Sequence, residues 1–176
     1  VLESLLEGYQ PRKCSGLTES DKAVTKQLLA QLDEIEALQA SKVEVLVDSV
    51  CYNEKPAGKT IAAITKRLPQ SRQAITLEGL AQAAVNGRSW KAAVMSDTTN
   101  GSFVSSSLVA LDIDNKESYT SINDFLVASN KYKPCFIYET FSSTEEHQRY
   151  RVVFAFDKTI TDYNEMAALY EEVKAQ

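Results

Sequence analysis

The stretch LVALDID, Leu108–Asp114, decides the fold and the chemistry that we expect of this chain. Four apolar residues run into two aspartates, which is the pattern of a buried strand with an acidic end. Side chains two positions apart in a strand point the same way and lie ~6.6 Å apart along it. Asp112 and Asp114 are therefore predicted to share one face of a sheet, while Ile113 turns to the other.

Two carboxylates at the end of a strand are suitable ligands for a hard divalent cation, Mg²⁺ or Mn²⁺. A pair of such ions ~4 Å apart is the usual device for phosphoryl or nucleotidyl transfer. A motif this short has an alternative interpretation, in which the acidic end of the strand simply faces solvent. Which interpretation applies depends on the residues that surround Asp112 and Asp114.

The composition is that of an ordinary globular protein, with 44% apolar and 24% charged residues among 176. A net charge of −5 argues against a surface coated with basic residues for nucleic acid, although it allows a local basic groove. The three cysteines are odd in number and have no C-x-x-C spacing, so they suggest neither a zinc site nor a disulfide framework, and the single histidine rules out multi-histidine metal sites. We expect a reduced, cytoplasmic protein without a membrane span or signal peptide.

Residues 1–75 are predicted to form an N-terminal α/β extension of unknown role. Apolar residues at helical spacing from Val24 to Leu38 predict a helix, and alternating valines from Val43 predict a strand that continues to about Tyr52. A further helix is expected to end near Leu68.

From residue 76 onward the pattern predicts the elements of a catalytic core, 76–176. They are a helix from Leu77 to Val85 capped by Thr76, a strand from Trp90 to Met95, its hairpin neighbour from Phe103 to Asp114, a helix begun by Ser121 or Asn123, strands at Cys135–Phe141 and Arg149–Phe156, and a helix capped by Asp162. Ile122, Phe125 and Leu126 are expected on the inner face of their helix. From Phe103 onward this is the β-α-β-β-α portion of a ferredoxin-like or RNA-recognition-like α+β unit.

The crossover helix predicts that the strands at 108 and 135 are parallel neighbours or nearly so. The loop 142–148 would then lie beside the two aspartates. The candidate nucleotide-binding residues are Ser142, Ser143 and His147 of this loop, and Arg149 and Arg151 on one face of the next strand. Serine hydroxyls donate to phosphate oxygens, and arginine offers them a planar fork.

Each of these residues also has a structural interpretation. The two arginines could be solvated charges or form an ion pair with Glu139, and His147 could be an ordinary exposed loop residue. Tyr138 and Phe141 are expected to be core or sheet-face aromatics rather than platforms for base stacking.

The strand LVALDID followed by a helix and then IYETFSSTEEHQRYRVVF, residues 137–154, resembles the archaeo-eukaryotic primase superfamily. The likeness is nearest to primase-polymerase domains of phages, plasmids and other mobile genetic elements, and it covers about residues 76–175. The family's first motif, D-x-D or D-x-E, corresponds to Asp112 and Asp114. Its second, S-x-H, is altered: Ser142 matches, but Ser143 and Thr144 follow it, so His147 or Arg151 is expected to take the phosphate role, with Arg151 favoured.

The resemblance implies a template-directed nucleotidyltransferase, a DNA primase or polymerase of a replication protein, that uses two metal ions held by Asp112 and Asp114. The implied partners are nucleoside triphosphates, a single-stranded DNA template or primer, and a replicative helicase domain. The family's third motif, an acidic residue on a following strand, is not matched before Gln176, so we expect the core to be incomplete at its C-terminus.

Two other functions remain open at this point. One is a non-catalytic module of the same fold that binds single-stranded nucleic acid. The other is a replication-initiator nuclease, against which the single histidine counts, because such enzymes use clustered histidines.

Overall fold

A computed structural model describes Lys26 and residues 42–97, 102–115, 120–128 and 131–175. The chain divides into two compact units, Val1–Gln39 and Ala40–Gln176, and all that follows concerns the second. The helix predicted between Val24 and Leu38 lies outside the described residues, Lys26 excepted. The functional division predicted between residues 75 and 76 stays a prediction.

Two antiparallel sheets form this unit. The first has the strand order β2-β1-β3 and is built from β1 (Lys42–Cys51), β2 (Arg72–Thr76) and β3 (Arg88–Lys91). The second has the order β4-β5-β7-β6 and is built from β4 (Val94–Met95), β5 (Phe103–Ile113), β6 (Phe136–Glu139) and β7 (Tyr150–Ile160).

The described residues also form four α-helices. They are α1 (Lys59–Arg67), which runs into a 3₁₀ helix (Leu68–Gln70), α2 (Leu77–Val85), α3 (Ile122–Val127) and α4 (Tyr163–Lys174). The predicted α+β class is therefore confirmed. None of the helices in the described part of the chain is long and apolar enough to cross a membrane.

Helix starts are set by local hydrogen bonds, and three predicted caps are confirmed. The hydroxyl of Thr76 accepts from the amide of Gly79, and Asp162 accepts from the amide of Glu165. Ser121 forms a reciprocal capping box with Asp124 at the start of α3. Each bond satisfies an amide that the first turn of a helix leaves without a partner.

The apolar run of β5 is continuous because both faces of its sheet are covered. Leu108 belongs to a core that includes Val45 of β1 and Leu80 of α2, whereas Val109 and Leu111 face a core closed by helix α4. Each fully buried side chain of this kind contributes ~1.5–3 kcal/mol. The apolar part of the LVALDID stretch thus lies between two cores.

The predicted strand from Trp90 to Met95 is wrong as a single element. Ala92 and Ala93 separate β3 from β4, and the two strands belong to different sheets. Trp90 packs into the core beneath the first sheet, while Val94 packs with Leu46 in a separate cluster. Only the β4 part pairs with β5, in the antiparallel sense expected of the predicted hairpin.

The strands at 108 and 135 are not adjacent, because β7 lies between them and pairs antiparallel with both. They are therefore parallel to each other but one strand apart. The inner face predicted for α3 is correct for Ile122 and Phe125, which pack against the second core, and wrong for Leu126, which is 56% exposed. Strand β2 was not predicted from its short sequence, RQAIT.

Candidate functional site

Asp112, Arg151 and Tyr138 form a row across three strands of the second sheet. The register places Asp112 of β5 opposite Arg151 of β7, and Arg151 opposite Tyr138 of β6. Opposed residues on neighbouring strands point to the same face, so the three side chains meet. Arg151 donates from Nε to Oδ1 of Asp112 at 2.6 Å and from Nη2 to Oδ2 at 2.9 Å.

Trp90 of the first sheet completes this group, which we call the Arg151 network (Asp112, Arg151, Tyr138 and Trp90). The hydroxyl of Tyr138 accepts from Trp90 Nε1 at 2.9 Å and from Arg151 Nη1 at 3.3 Å. The guanidinium of Arg151 also lies 5.6 Å from the centre of the Trp90 ring, within cation–π range. Arg151 is therefore held in place from three sides.

The network shifts the pKa values of Tyr138 and Arg151. Burial raises the pKa of the Tyr138 phenol above its ordinary value, against the opposing influence of Arg151. Burial lowers the pKa of Arg151, but the hydrogen bonds and charge of Asp112 and Tyr138 outweigh it, and the net direction is upward. Around neutral pH the network thus holds a guanidinium cation and a neutral phenol.

Two cavities meet at the network. The first, about 520 Å³, lies between β5 and α4 and is lined in part by Asp112, Met166 and Tyr170. The second, about 600 Å³, is lined in part by Arg88, Tyr138 and Phe141. Trp90 and Arg151 line both. Both volumes are in the range of small-molecule sites.

The loop 142–148 lies at the end of β5, as the sequence predicts. Nε2 of His147 donates to the carbonyl oxygen of Asp114 at 3.0 Å. The Asn115 side chain donates to the carbonyl oxygens of Thr120 and Gln148, at 3.0 and 2.7 Å, and thereby fastens the two segments together. Asn115 has a φ of 48°, which asparagine tolerates better than most residues.

The two loop serines bond within the loop region rather than to Asp112. Ser142 Oγ accepts from Lys55 Nζ at 3.0 Å. Ser143 Oγ donates to Glu139 at 2.9 Å and accepts from the amide of Arg149 at 3.0 Å. The predicted site residues therefore fall into two groups, the Arg151 network and the loop beside Asp114.

Arg149 and Arg151 differ in what surrounds them. The ion pair with Glu139 that the sequence left open is not formed within the described residues, because Arg151 pairs with Asp112 and Glu139 bonds to Ser143. Within the part of the chain that the structure describes, Nε of Arg149 is the one buried side-chain nitrogen or oxygen without a hydrogen-bond partner. A buried donor left in this way costs ~1–3 kcal/mol, which an oxyanion could offset.

The donor set fits one divalent cation better than two. Asp112 and Asp114 supply carboxylates, but the described residues contain no group of three or more His, Cys, Asp or Glu side chains placed to hold a metal ion. Both oxygens of Asp112 also accept hydrogen bonds from Arg151, so a cation would share the carboxylate with the guanidinium and be repelled by its charge. The predicted two-ion arrangement is not supplied by the described residues.

Sequence reasoning missed Trp90 and Lys55 as members of the site. Lys55 precedes Pro56 in a polar segment, and nothing in that segment predicts a contact with Ser142. A lone tryptophan at the start of a predicted strand was a signal for Trp90, because buried tryptophan usually finds a partner for its N–H. Comparison with known proteins found no matching family model, no matching curated protein and no matching solved structure.

Proposed function

We propose that this chain carries the nucleotide-binding face of a template-directed nucleotidyltransferase, a primase or polymerase of a replication protein that depends on Mg²⁺ or Mn²⁺. The observation that carries the proposal is the bidentate Asp112–Arg151 pair, at the point where two cavities meet. A carboxylate and a guanidinium side by side are complementary to the two charges of a metal-bound triphosphate.

The strand order supports the finer fold that the resemblance implies. In a ferredoxin-like unit two parallel strands are split by an antiparallel strand between them. Strands β5 and β6 with β7 between them have this arrangement, and α3 and α4 follow β5 and β7 in the chain. We therefore infer a ferredoxin-like catalytic core whose first strand, β5, carries Asp112 next to its last residue.

Each residue has a role in this proposal. Arg151 binds phosphate oxygens through its planar fork, and Tyr138 and Trp90 keep that fork in place. Asp112 and Asp114 hold the cation, which neutralises phosphate charge when bound.

The loop residues form the second half of the phosphate site. Arg149 offers a buried donor without an acceptor, and Ser142 and Lys55, which bond to each other, add a hydroxyl and a cation. His147 positions the loop through its hydrogen bond to the main chain of Asp114. We therefore assign it a structural role in preference to a direct phosphate contact.

One observation favours a different function, a non-catalytic module for single-stranded nucleic acid. Asp112 is already neutralised by Arg151, and two carboxylates are few for a catalytic metal centre. Such a module would bind strands through cationic and aromatic side chains, without any need for Asp112.

Asp112→Asn distinguishes the two functions in a primer-extension assay with Mn²⁺, carried out on a version of the protein that includes the third acidic residue implied by the resemblance. The proposal expects loss of incorporation, because an amide is a poor cation ligand. Asp157→Asn is the matched control, since Asp157 is an exposed aspartate of β7 that lines none of the cavities above. Incorporation that persists in Asp112→Asn would refute the assignment. Strand binding without incorporation, equal in wild type and Asp112→Asn, would support the module.

A further inference from the structure

Three arginines line a third cavity, at the far end of β1 from the helix α2 cap. The cavity measures about 450 Å³, and we call it the three-arginine pocket, after Arg67, Arg72 and Arg88. Its remaining wall is mainly polar: Val47, Asp48, Ser49, Gln70, Ser71 and Gln73. It shares neither Asp112 nor Arg151 with the site described above.

Arg67 is fixed by a fully buried carboxylate. Its Nε and Nη2 donate to the two oxygens of Asp48 at 3.0 and 2.7 Å, and Nη2 also donates to the hydroxyl of Tyr52 at 2.8 Å. Asp48 has no exposed surface, while the Arg67 side chain is 39% exposed. The charge of Asp48 is thus neutralised by Arg67, and the guanidinium of Arg67 remains accessible at the pocket.

The other two arginines are anchored in the same way, through Nε. Arg72 binds Glu44 through Nε at 3.2 Å and Nη2 at 2.6 Å. Arg88 donates from Nε to the carbonyl oxygen of Asp48 at 2.6 Å. Within the described residues, Nη1 of Arg67, Nη1 of Arg72 and both Nη atoms of Arg88 donate to no acceptor. Three pre-positioned guanidinium groups therefore have unused donors.

The charges at the pocket favour an anion. Three guanidinium cations line it, with Asp48 as the one acidic residue of its wall, and Glu44 pairs with Arg72 beside it. Planar guanidinium forks match the tetrahedral oxygens of phosphate. No aromatic side chain is part of the pocket wall, so the pocket offers contacts to a phosphate and none for stacking a base.

Arg88 also lines the second cavity, where Arg151 lies, so the wall of the pocket and the wall of the candidate site share one residue. We propose that the three-arginine pocket binds phosphate groups, and that a single nucleic-acid strand which passes the Arg151 network places a phosphodiester there. Free phosphate or a nucleotide is the other source of the same chemistry. The proposal is independent of catalysis, because an enzyme and a binding module both contact strand phosphates.

The test measures binding of a fluorescent oligo-dT of ~12 nucleotides, a length that a small binding fold covers, across a series of salt concentrations. Arg72→Gln and Arg88→Gln should each weaken binding about tenfold. Each should also reduce the slope of log affinity against log salt by ~0.7, the value for one lost contact with a single strand. Arg72→Lys should keep the slope and recover only part of the affinity, since an ammonium has no planar fork.

Lys158→Gln is the matched control for lost charge. Lys158 forms an exposed pair with Glu165, as Arg72 does with Glu44, and lies outside the three-arginine pocket. It should change neither affinity nor slope. Circular dichroism checks the fold of each variant, and Arg72, which is half exposed, is the substitution that the fold tolerates best.

A parallel titration with inorganic phosphate separates the two sources. Phosphate binding that depends on Arg72 and Arg88, with strand binding unaffected, would identify free phosphate as the occupant. Strand and phosphate binding that are both unchanged in the two glutamine variants would overturn the proposal. Strand and phosphate binding are measured without metal or nucleoside triphosphate, and Arg72 and Arg88 hold no metal in the proposed function, so failure of the proposed catalytic function and failure of this pocket give different results.

Discussion

Arg151→Gln is expected to move metal binding and nucleotide binding in opposite directions. The guanidinium now donates to both oxygens of Asp112, at 2.6 and 2.9 Å, and its charge repels a cation that would share them. Glutamine removes the positive charge but keeps a polar side chain on the same face of β7. Mn²⁺ should therefore bind more tightly to the variant, and a nucleoside triphosphate should bind more weakly.

The magnitude of the metal effect follows from the geometry of the pair. A divalent ion ~2 Å from a carboxylate oxygen would lie ~5 Å from the guanidinium. At the dielectric constant of water, the repulsion between them is ~1.7 kcal/mol. The Asp112 side chain is 57% exposed and that of Arg151 is 27% exposed. The dielectric constant of water therefore gives a lower limit for the repulsion energy. Salt screening roughly halves this value, which leaves a gain of at least about fourfold in Mn²⁺ affinity.

The nucleotide effect has the opposite sign and is larger. Loss of a charge-assisted fork costs ~1.5–3 kcal/mol, or at least about a tenfold loss of affinity. Calorimetric titration of Mn²⁺ and fluorescence titration of a labelled nucleotide, both at fixed ionic strength, measure the two constants. Lys158→Gln, on the same strand and in an exposed ion pair, should alter neither.

An Mn²⁺ affinity that stays the same or falls in Arg151→Gln would refute Asp112 as a metal ligand. An unchanged nucleotide affinity would remove Arg151 from the phosphate site and leave Arg149 and His147 as the candidates.

Three further predictions concern stability. Arg67→Gln should lower the free energy of unfolding more than Asp48→Asn does, because the first leaves the buried Asp48 charge without its guanidinium partner and the second removes that charge. Urea unfolding measures both. The hydrogen bond from Arg67 lowers the pKa of Asp48 below its ordinary value of 3.8. The contribution of Asp48 to the free energy of unfolding is therefore complete above pH 3.8 and is lost as the pH falls through the lowered pKa. Asp48→Asn should not show this loss. Gly87→Ala should lower the free energy of unfolding by more than ~3 kcal/mol, because a Cβ would lie 1.8 Å from the carbonyl oxygen of Tyr52. Gly58 also has a positive φ but open space around it, so Gly58→Ala should cost only ~1–2 kcal/mol. Equal losses in the two variants would show that the backbone angle φ alone decides the cost.

Local features of this chain could be predicted because their causes lie within a few residues of one another. Thr76, Ser121 and Asp162 cap their helices through amides three positions away. The alternating valines of β1 and the apolar run of β5 record which faces are buried. The pair of aspartates at the end of β5 and the adjacent loop 142–148 also follow from the order of strands and turns.

The partners of the site residues could not be predicted in this way. Asp112 and Arg151 are 39 positions apart, Trp90 and Tyr138 are 48 apart, and Lys55 and Ser142 are 87 apart. The sequence assigned Arg151 to phosphate and Asp112 to metal but did not predict that the two bind each other. That contact depends on the register between β5 and β7, and a slip of one residue would turn Arg151 to the opposite face.

The sequence by itself determined the types of most elements, three helix caps and the residues that carry charge, since periodicity and capping are local. Only the tertiary structure decided that β7 lies between β5 and β6 and that the segment from Trp90 to Met95 divides between two sheets. It also decided that Arg67, Arg72 and Arg88 line one cavity. The physical reason is that strand order and register are chosen by the burial of whole faces against one another, and this free energy belongs to pairs of distant segments.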